Sequence, residues 1–593
     1  MDKDRLIGLT LISLILITYM HFWGPTPDLQ NSRSSQHLHN PTPTYAPSPA
    51  ESPTRNEDPQ HAKKGAAKEI KLANRDVQIT LTAAGGQIKE VVLKNYPGPQ
   101  GNPLVLLDTQ STQMGFCFDQ EDAQVNTQWL HFDTQDKDLY VTESEVGTVT
   151  FRCALGPKQY VLHHFSLPGQ GYELAHTWEL ISPDTPANIT HMYFFWHNWL
   201  KPSEKDITAC RQRSTINYYL ANRRFQHLKE GAEHVQEQQI AEPMQWVAIK
   251  QRFFTAGVVA ENTFAEGCLT LTPTPYSEHV LKEAHVRLGL SPTDDEGTHR
   301  KEKLTFYFGP NDRASLQGVA PGFAKNLTLG WPVVKSINTY VVLPFFSWLE
   351  TYIGSYGLII CILAICIKLL LLPLSYKSYL SMAQMKLLKP TLDALRDQYP
   401  DDLQKVQREH LKLYREIGIN PLSGCLPIFL QMPILLAMFN FFPNVIALRG
   451  KAFLWAQDLS TYDSILNLPF HIPLYGSHVS LFTILMTAST MLYTWSSQEM
   501  SNQPEPMKTL AYLLPITFLF ILNSFPAGLS FYYLISNLIT FGQQKLIKQL
   551  VDEDKIKRQL DASTPKPHAS SVKRSLSNRM RHTRGTKQSR KSS

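Results

Sequence analysis

The sequence predicts a multi-domain membrane protein in which six transmembrane α-helices accompany a large antiparallel β-sandwich outside the membrane. Of the 593 residues, 43% are hydrophobic and 18% are charged, and apolar residues are concentrated after position 330. Several apolar stretches approach the roughly 20 residues that cross a bilayer core. The polar front half alternates apolar and polar residues over short stretches, which is typical of half-buried strands.

The first 68 residues predict an anchor followed by a tether. An apolar run over 6–23 is preceded by Lys3 and Arg5, and no A-x-A cleavage site follows it. We therefore expect an uncleaved transmembrane signal anchor over 1–23, with the N-terminus inside. Residues 24–68 are rich in Pro, Ser, Asn, His and Thr. That composition cannot bury a core, and it predicts a disordered linker.

Residues 69–330 are predicted to form the β-sandwich domain. Stretches such as VQITL at 77–81 and KLTFYF at 303–308 recur between turn signals. Many short strands at this spacing are typical of a large antiparallel sandwich. His163 and His164 have neither catalytic nor metal-binding spacing, and we interpret them as ordinary strand positions.

The cysteines and the charged residues indicate no reactive site. The seven cysteines contain no CxxC pair and no Cys/His spacing suited to zinc. The sequence predicts no metal, no cofactor and no catalytic residue, because it also lacks a phosphate-binding loop and a nucleophile pair. Disulfides stay open for the four cysteines of the front half, which are Cys117, Cys153, Cys210 and Cys268.

The rear half begins with a predicted interfacial amphipathic helix over 331–349, in which Lys335 and Asn338 lie opposite the apolar face. A transmembrane core over 350–548 follows it. Its five spans, added to the anchor, make six and return the C-terminus to the starting side. The spans are predicted at about 353–374, 425–442, 479–495, 508–523 and 528–546.

Positive charge supports this orientation. The 443–478 loop contains two basic residues, Arg449 and Lys451. The loop after the second span and the basic tail over 549–593 are far richer in Lys and Arg, which marks them as cytoplasmic. We therefore expect a multi-pass inner-membrane protein with both termini in the cytoplasm. The loop residues are Lys377, Lys386, Lys389, Arg396, Lys405, Arg408, Lys412 and Arg415.

Residues 375–420 are predicted to form a cytoplasmic helical hairpin. Apolar residues recur every three or four positions, stop at Pro400 and resume at Leu403. The pattern is compatible with a hairpin that packs on itself and with one that docks a partner. The residues that carry the first stripe include Met382, Met385, Leu388 and Leu392.

Lys368 is the one charge inside the second span. It lies about seven residues from the polar flank at Ser375, or roughly 10 Å at 1.5 Å per residue. A lysine at such a depth costs about 2.5–3.5 kcal/mol on insertion scales. Two interpretations stay open from this residue alone: a side chain that snorkels to the interface, and a buried functional charge.

Three segments resemble the signature of the YidC/Oxa/Alb membrane protein insertase family. They are GINPLSGCLPIFLQMPI at 418–434, PLSYKSYLSMAQM at 373–385 and FPAGLSFYYLISN at 525–537. The anchor, the outer β-domain and QWVAIKQRFF at 245–254 resemble the Gram-negative bacterial form, YidC. That resemblance implies a five-helix insertase core and a periplasmic domain of β-supersandwich fold.

The resemblance also implies a hydrophilic groove in the inner leaflet, open to cytoplasm and lipid. Lys368 occupies the position at which the family usually has arginine; it keeps the charge but lacks the guanidinium fork. Gln431, Tyr532 and Tyr533 are the further groove candidates. The polar spans supply residues along which a substrate slides, and these are Met432, Thr487, Thr517, Ser536 and Asn537.

The predicted function is insertion and folding of newly made inner-membrane proteins, alone or with the Sec translocon, without enzymatic chemistry. The implied partners are nascent membrane proteins, the phospholipid bilayer and, through the hairpin and basic tail, the ribosome and the signal recognition particle receptor. A secondary transporter that uses Lys368 is the main alternative. It predicts acidic residues within spans and an inverted repeat, and neither is visible. A membrane enzyme is a weaker alternative.

Overall fold

The computed structural model describes residues 67–120, 123–182, 189–291, 293–295, 299–399, 402–417, 426–472, 475–498, 505–551, 556 and 558. The predicted anchor, nearly all of the predicted linker and most of the basic tail lie outside these residues. The chain forms two compact units that divide at Leu329, apart from the short stretch Asn444–Ile446.

The first unit is built from three sheets, in which every pair of strands is antiparallel except β1 with β7, and from two short helices, α1 (Ile207–Gln212) and α2 (Arg313–Gln317). The strands are β1 Glu69–Ala73, β2 Val77–Thr82, β3 Gln87–Pro97, β4 Pro103–Leu107, β5 Thr112–Gln120, β6 Ala123–Asn126, β7 Leu139–Tyr140, β8 Val146–Gly156, β9 Gln159–Pro168, β10 Glu173–Ile181, β11 Ile189–Trp199, β12 Thr215–Leu220, β13 Phe225–His227, β14 Gln236–Ile240, β15 Met244–Lys250, β16 Phe254–Phe264, β17 Gly267–Pro273, β18 Lys282–Leu290, β19 Thr293–Asp295 and β20 His299–Pro310.

The prediction of a large antiparallel β-sandwich is confirmed. The nine-stranded sheet has the order β13-β12-β15-β16-β20-β10-β9-β8, with β19 paired to β20. A six-stranded sheet, β14-β17-β18-β11-β5-β6, packs on it, and a five-stranded sheet, β4-β3-β2-β1-β7, completes the unit. The Phe116 ring of β5 stacks on the His176 ring of β10 at 5.3 Å, which joins the two larger sheets through the core.

Alternation predicts strands with one buried face, and β9 alternates buried and half-buried residues along its length. The strand β15 differs, since six of its seven residues are buried. Its Trp246 lies parallel to Tyr219 at 5.6 Å and donates its indole N–H to the Pro321 carbonyl at 3.0 Å.

The cysteines at 117, 153, 210 and 268 are free thiols.

His163 and His176 are core residues of this sandwich, each 2% exposed. The two imidazoles share a hydrogen bond of 3.3 Å between His176 Nε2 and His163 Nδ1. Burial lowers the pKa of His163 to about 3 and lowers that of His176 far below its usual value, because a charged ring loses its hydration there. The interpretation of His163 as a packed strand position therefore fits its surroundings.

The second unit is mainly helical, with one hairpin of strands β21 (Leu466–Ile472) and β22 (Gly476–Val479). A π-helical turn, Asn338–Val342, joins the first two helices. The helices are α3 Pro332–Ile337, α4 Leu343–Glu350, α5 Tyr356–Leu387, α6 Lys389–Gln398, α7 Leu403–Ile417, α8 Leu426–Phe441, α9 Leu481–Gln498, α10 Glu505–Leu522 and α11 Ala527–Leu550.

The segment that the sequence predicts as an interfacial helix is helical from Pro332 to Glu350, with the π-turn between α3 and α4. Asn338, which the sequence places on a polar face, is fully buried and donates its amide to the carbonyls of Leu329 and Ala437. The exposed side is aromatic, with Trp348 55% and Tyr340 74% exposed. Aromatic side chains of this kind favour the water–lipid interface.

The helix α5 extends beyond the predicted span end at 374 and continues to Leu387, with Pro373 inside it. It ends just before α6, whose second residue is Pro390. Because Pro390 has no N–H, it cannot donate to the Lys386 carbonyl and extend the hydrogen bonds of α5. Within the described residues, α5 alone has both the length and the hydropathy to cross a membrane; the apolar stretches Gln431–Phe441 and Thr509–Leu522 are shorter. Six spans therefore stay a prediction.

We expect the first unit to lose stability in acid through its buried histidines. Their folded-state pKa values lie below the unfolded value of about 6.5, so their stabilisation is complete above pH 6.5 and falls as the pH drops toward 3. In that window, each histidine lowers the free energy of unfolding by about 1.4 kcal/mol for each pH unit that the pH drops. Denaturant unfolding of the full chain in detergent, followed by strand circular dichroism from pH 7 to 4.5, measures it. The double change His163→Leu with His176→Leu should flatten the dependence of stability on pH, whereas His191→Leu, at an exposed position, should not. Equal pH dependence in both variants would contradict the assignment of the acid sensitivity to the buried histidines.

Candidate functional site

Lys368 lies on α5 and is 5% exposed. Its ammonium donates to Gln431 Oε1 of α8 at 3.4 Å, and no carboxylate of the described residues pairs with it. The two residues that follow it, Leu369 and Leu370, are 57% and 76% exposed. Because successive helix positions turn by about 100°, an outward face at 369 and 370 directs Lys368 inward.

A third helix reaches the same point. Gln543 of α11 donates its side-chain amide to the Lys368 carbonyl at 3.2 Å. The structure thus brings together Lys368 and Gln431, two of the four predicted groove residues, and adds Gln543, which the sequence analysis missed. The only signal for Gln543 in the sequence is a polar amide near the end of an apolar span.

Tyr533 and Tyr532 meet α8 farther along its length. The Tyr533 hydroxyl donates to the Leu435 carbonyl at 3.1 Å, about one turn from Gln431. Tyr532 packs instead against Phe442 at 5.7 Å, beyond the other end of α8. Both tyrosines are buried. The four predicted groove residues therefore lie along α8, where α5 and α11 meet it, rather than gathering at one point.

A polar ladder of three rungs joins α9 and α11. Thr483 bonds Ser530 at 3.1 Å, Asn537 donates to Thr490 Oγ1 at 2.8 Å, and Gln544 donates to Ser497 Oγ at 3.1 Å. Each rung lies seven residues beyond the previous one on both helices, so the helices run parallel. A seven-residue repeat keeps one seam in contact, as in coiled coils. Asn537 also donates to Ser489 Oγ.

The remaining slide candidates have varied surroundings. Met432 is 43% exposed, whereas Ser536 is 1% exposed. The hydroxyls of Thr487 and Thr517 donate to carbonyls four residues earlier, those of Thr483 and Leu513. A hydroxyl that bonds its own helix satisfies its polarity locally and needs no cavity.

Two family models match this chain: one described as 60Kd inner membrane protein over residues 348–555, and one described as YidC periplasmic domain over 69–342. A membrane protein insertase YidC from Amoebophilus asiaticus (strain 5a2) is 54% identical, covering 94% of this chain and 94% of the relative. Another from Cytophaga hutchinsonii is 40% identical, covering 95% of this chain and 94% of the relative. The chain belongs to the YidC family of membrane protein insertases.

A crystal structure of an active YidC insertase, with its first transmembrane domain resolved, covers 81% of this chain and 93% of its own, at 16% identity and a TM-score of 0.33. Membership confirms the predicted family and an insertase rather than an enzyme. The matched YidC models describe an inner-membrane part and a periplasmic part.

The predicted hairpin of this chain packs on itself and on the end of α11. Leu388 and Leu392 are each 4% exposed and cluster with Ile547 and Val551. Met385 packs against the same cluster, and Met382 is half-buried. The apolar stripe is therefore largely used within the hairpin and its contact with α11.

A buried network closes the helix bundle at the end where α9 and α11 begin. Asp463 accepts from the Trp455 indole and from the backbone N–H of Phe482, in the first turn of α9. Asn523, which follows α10, accepts from the Ser480 N–H and donates to the His478 carbonyl. Such a network satisfies helix ends that would otherwise leave donors unpaired. The sequence analysis missed it because its members come from separate loops.

The outer faces of these helices are apolar, as lipid contact requires. Large apolar side chains that point away from the bundle recur on α5 and on α10. They are more numerous than the exposed apolar side chains that a water-soluble protein usually carries. They include Leu358, Leu369, Leu370, Leu513, Leu514, Phe518 and Ile521.

The central rung of the ladder is expected to couple α9 to α11 measurably. In a double-mutant cycle with Thr490→Val and Asn537→Leu, we expect a coupling energy of about 0.6 kcal/mol, because that is the average for interhelical hydrogen bonds in membrane proteins. Unfolding in mixed detergent micelles measures it. Thr517→Val is the matched control, since Thr517 bonds its own helix, and its cycle with Asn537→Leu should give no coupling. Equal coupling in both cycles would exclude the ladder as its source.

Proposed function

We propose that this chain inserts newly made proteins into the bacterial inner membrane through a hydrophilic groove centred on Lys368, between α5, α8 and α11. One observation carries the proposal: in a chain of the insertase family, a buried ammonium has an amide partner but no carboxylate among the described residues. An unneutralised charge between apolar helices is costly. It becomes useful where the incoming ligand is itself polar or acidic.

The insertion step needs no covalent chemistry. The polar part of a substrate enters from the cytoplasm and is held by Lys368 and Gln431, while its apolar part moves into lipid along α8 and α11. The half-exposed Met432 offers an adaptable apolar surface on that path. The network around Asp463 and Asn523 supports a groove that is closed at its outer end.

The proposed topology has six spans, the N-terminal anchor included, with both termini cytoplasmic and the β-sandwich periplasmic. The basic loop after the second span and the basic tail support it. The exposed aromatic side of α3 and α4 supports an interfacial position for that segment. The chain is proposed to work alone or with the Sec translocon, and its hairpin and tail to approach the ribosome and the signal recognition particle receptor.

A secondary transporter would need an ionisable partner for Lys368 within the membrane. The sequences of α5, α8, α9 and α11 contain no Asp or Glu, and α10 has one, Glu505, at its first position. Proton or ion coupling through Lys368 would thus lack an acidic counterpart, and the insertase is favoured.

Removing the charge of Lys368 should weaken insertion of substrates with acidic polar segments. In a bacterial host depleted of its own insertase, this chain should restore insertion of a small Sec-independent protein. Lys368→Arg should retain activity, and Lys368→Ala should lose about tenfold with acidic substrates, as expected for one charged hydrogen bond. Failure of the unaltered chain to restore insertion would reject the proposed function.

Lys377→Ala is the matched control, because Lys377 lies on the same helix but is exposed. It should insert every substrate as well as the unaltered chain does. If Lys368→Ala also inserts every substrate at full rate, the lysine is a snorkelling side chain and the groove assignment is wrong.

Reporter fusions should test the topology. A fluorescent protein that folds only in the cytoplasm should fluoresce when fused to the C-terminus. An alkaline phosphatase fused after Tyr276, which is 99% exposed in the first unit, should be active because it would lie in the periplasm. A C-terminal fusion without fluorescence, together with an inactive phosphatase fusion, would show that the orientation is the reverse of the proposed one.

A further inference from the structure

Two histidines and a glutamate meet on the outer face of the six-stranded sheet. The strands β11 and β18 pair antiparallel, with His197 directly opposite His285 and Trp199 directly opposite Glu283. Residues two apart on a strand share a face, so the four side chains lie together. The residues between them, Asn198 and Ala284, lie on the opposite face and are almost completely buried.

The potential ligand atoms of this triad are close to one another. One nitrogen from each histidine and one carboxylate oxygen of Glu283 all lie within 4.8 Å. Among the described residues, this is the one group of three or more His, Cys, Asp or Glu side chains with such an arrangement.

The His197 ring is held on both sides. Its centroid lies 3.6 Å from that of His285 and 3.6 Å from that of Trp199. Its Nε2 is enclosed and has no hydrogen-bond partner in the described part of the chain. A buried ring nitrogen without a partner costs free energy unless something binds it.

Both rings are disposed to be neutral, which is the form that binds metals. Burial, and then the neighbouring His285, lower the pKa of His197 to about 4, and burial also lowers that of His285. Two stacked imidazoles therefore present lone pairs rather than repelling charges. Glu283, beside them, supplies the negative charge that favours a cation.

We propose that His197, Glu283 and His285 form a binding site for a transition-metal dication, with Zn²⁺ as the ion of choice. Two imidazoles and one carboxylate are ligands that Zn²⁺ takes in three-ligand sites, with a water in the fourth position. Mg²⁺ and Ca²⁺ prefer all-oxygen ligands and fit poorly. Tetrahedral ligand atoms lie roughly 3.4 Å apart at metal distances near 2.1 Å, so the largest separation between ligand atoms shortens by up to about 1.4 Å on binding. The two stacked rings turn at the same time, so that their in-plane lone pairs converge on the ion.

The site goes beyond the proposed insertion activity, since it lies in the β-sandwich and joins two central strands of one sheet. Metal held there binds the folded state and raises its stability by mass action. The sequence analysis predicts no metal site, because the ligands are far apart along the chain and meet only through the register of β11 and β18.

Zn²⁺ alone is the probe. The full chain, free of an affinity tag and purified in detergent, is titrated in competition with a chromophoric chelator. At the same concentration of free Zn²⁺, the unaltered chain should bind one Zn²⁺ per chain more than Glu283→Gln or His285→Gln. Each of these changes should lower the affinity of the site for Zn²⁺ about 100-fold or more, which is the top of the range for loss of an outer-shell partner. Strand circular dichroism should be the same for all variants, because His285 is exposed and Glu283 half-buried.

His191→Ala is the matched control: His191 is an exposed histidine on β11 and the same face, roughly 20 Å from His197 at about 3.3 Å per residue. It should bind like the unaltered chain. Co²⁺ in place of Zn²⁺ should give visible absorption typical of a four-coordinate ion, absent in Glu283→Gln. Equal Zn²⁺ binding by all four proteins, or no binding by the unaltered chain, would overturn the proposal.

Discussion

The helical unit depends on one constraint: polar groups between apolar helices must find partners inside the protein, because lipid offers none. Lys368 and Gln431 satisfy each other only through a long bond, while Asn537 and Tyr533 form shorter ones. The bundle therefore has one seam joined by three hydrogen-bonded rungs, between α9 and α11, and one point held by a single long bond, at Lys368. A site that awaits a polar ligand is expected at the second kind of position.

Elements with strong local patterns were predictable. The strand β9 alternates buried and half-buried residues, and period-two patterning finds such strands. The strand β15 is buried on both faces, so alternation alone does not identify it. The span was predicted to end at 374, where hydropathy changes, and the helical hairpin to begin at 375, whereas the structure joins the two in one helix as far as Leu387. Hydropathy reports the solvent around a helix, whereas Pro390 marks a position at which the backbone has no N–H to donate.

Contacts between distant segments were beyond the sequence patterns. The Lys368–Gln431 pair was expected from family resemblance, whereas no periodicity in either helix indicates which faces meet. The polar ladder is a partial exception, because its residues recur every seven positions on both helices, but the repeat becomes informative only once the helices are known to be neighbours. The His197–His285 pair requires the register of two strands, which side-chain alternation leaves undetermined.

The ladder also constrains how the bundle can move. Sliding α11 along α9 by one helical turn, about 5.4 Å, would break the rungs at Ser530, Asn537 and Gln544 together, since all three share one spacing. The two helices thus act as one rigid body. The seam between α5 and α8 is tied at Lys368 by a flexible amide instead. Relative movement of helices therefore breaks fewer hydrogen bonds between α5 and α8 than between α9 and α11.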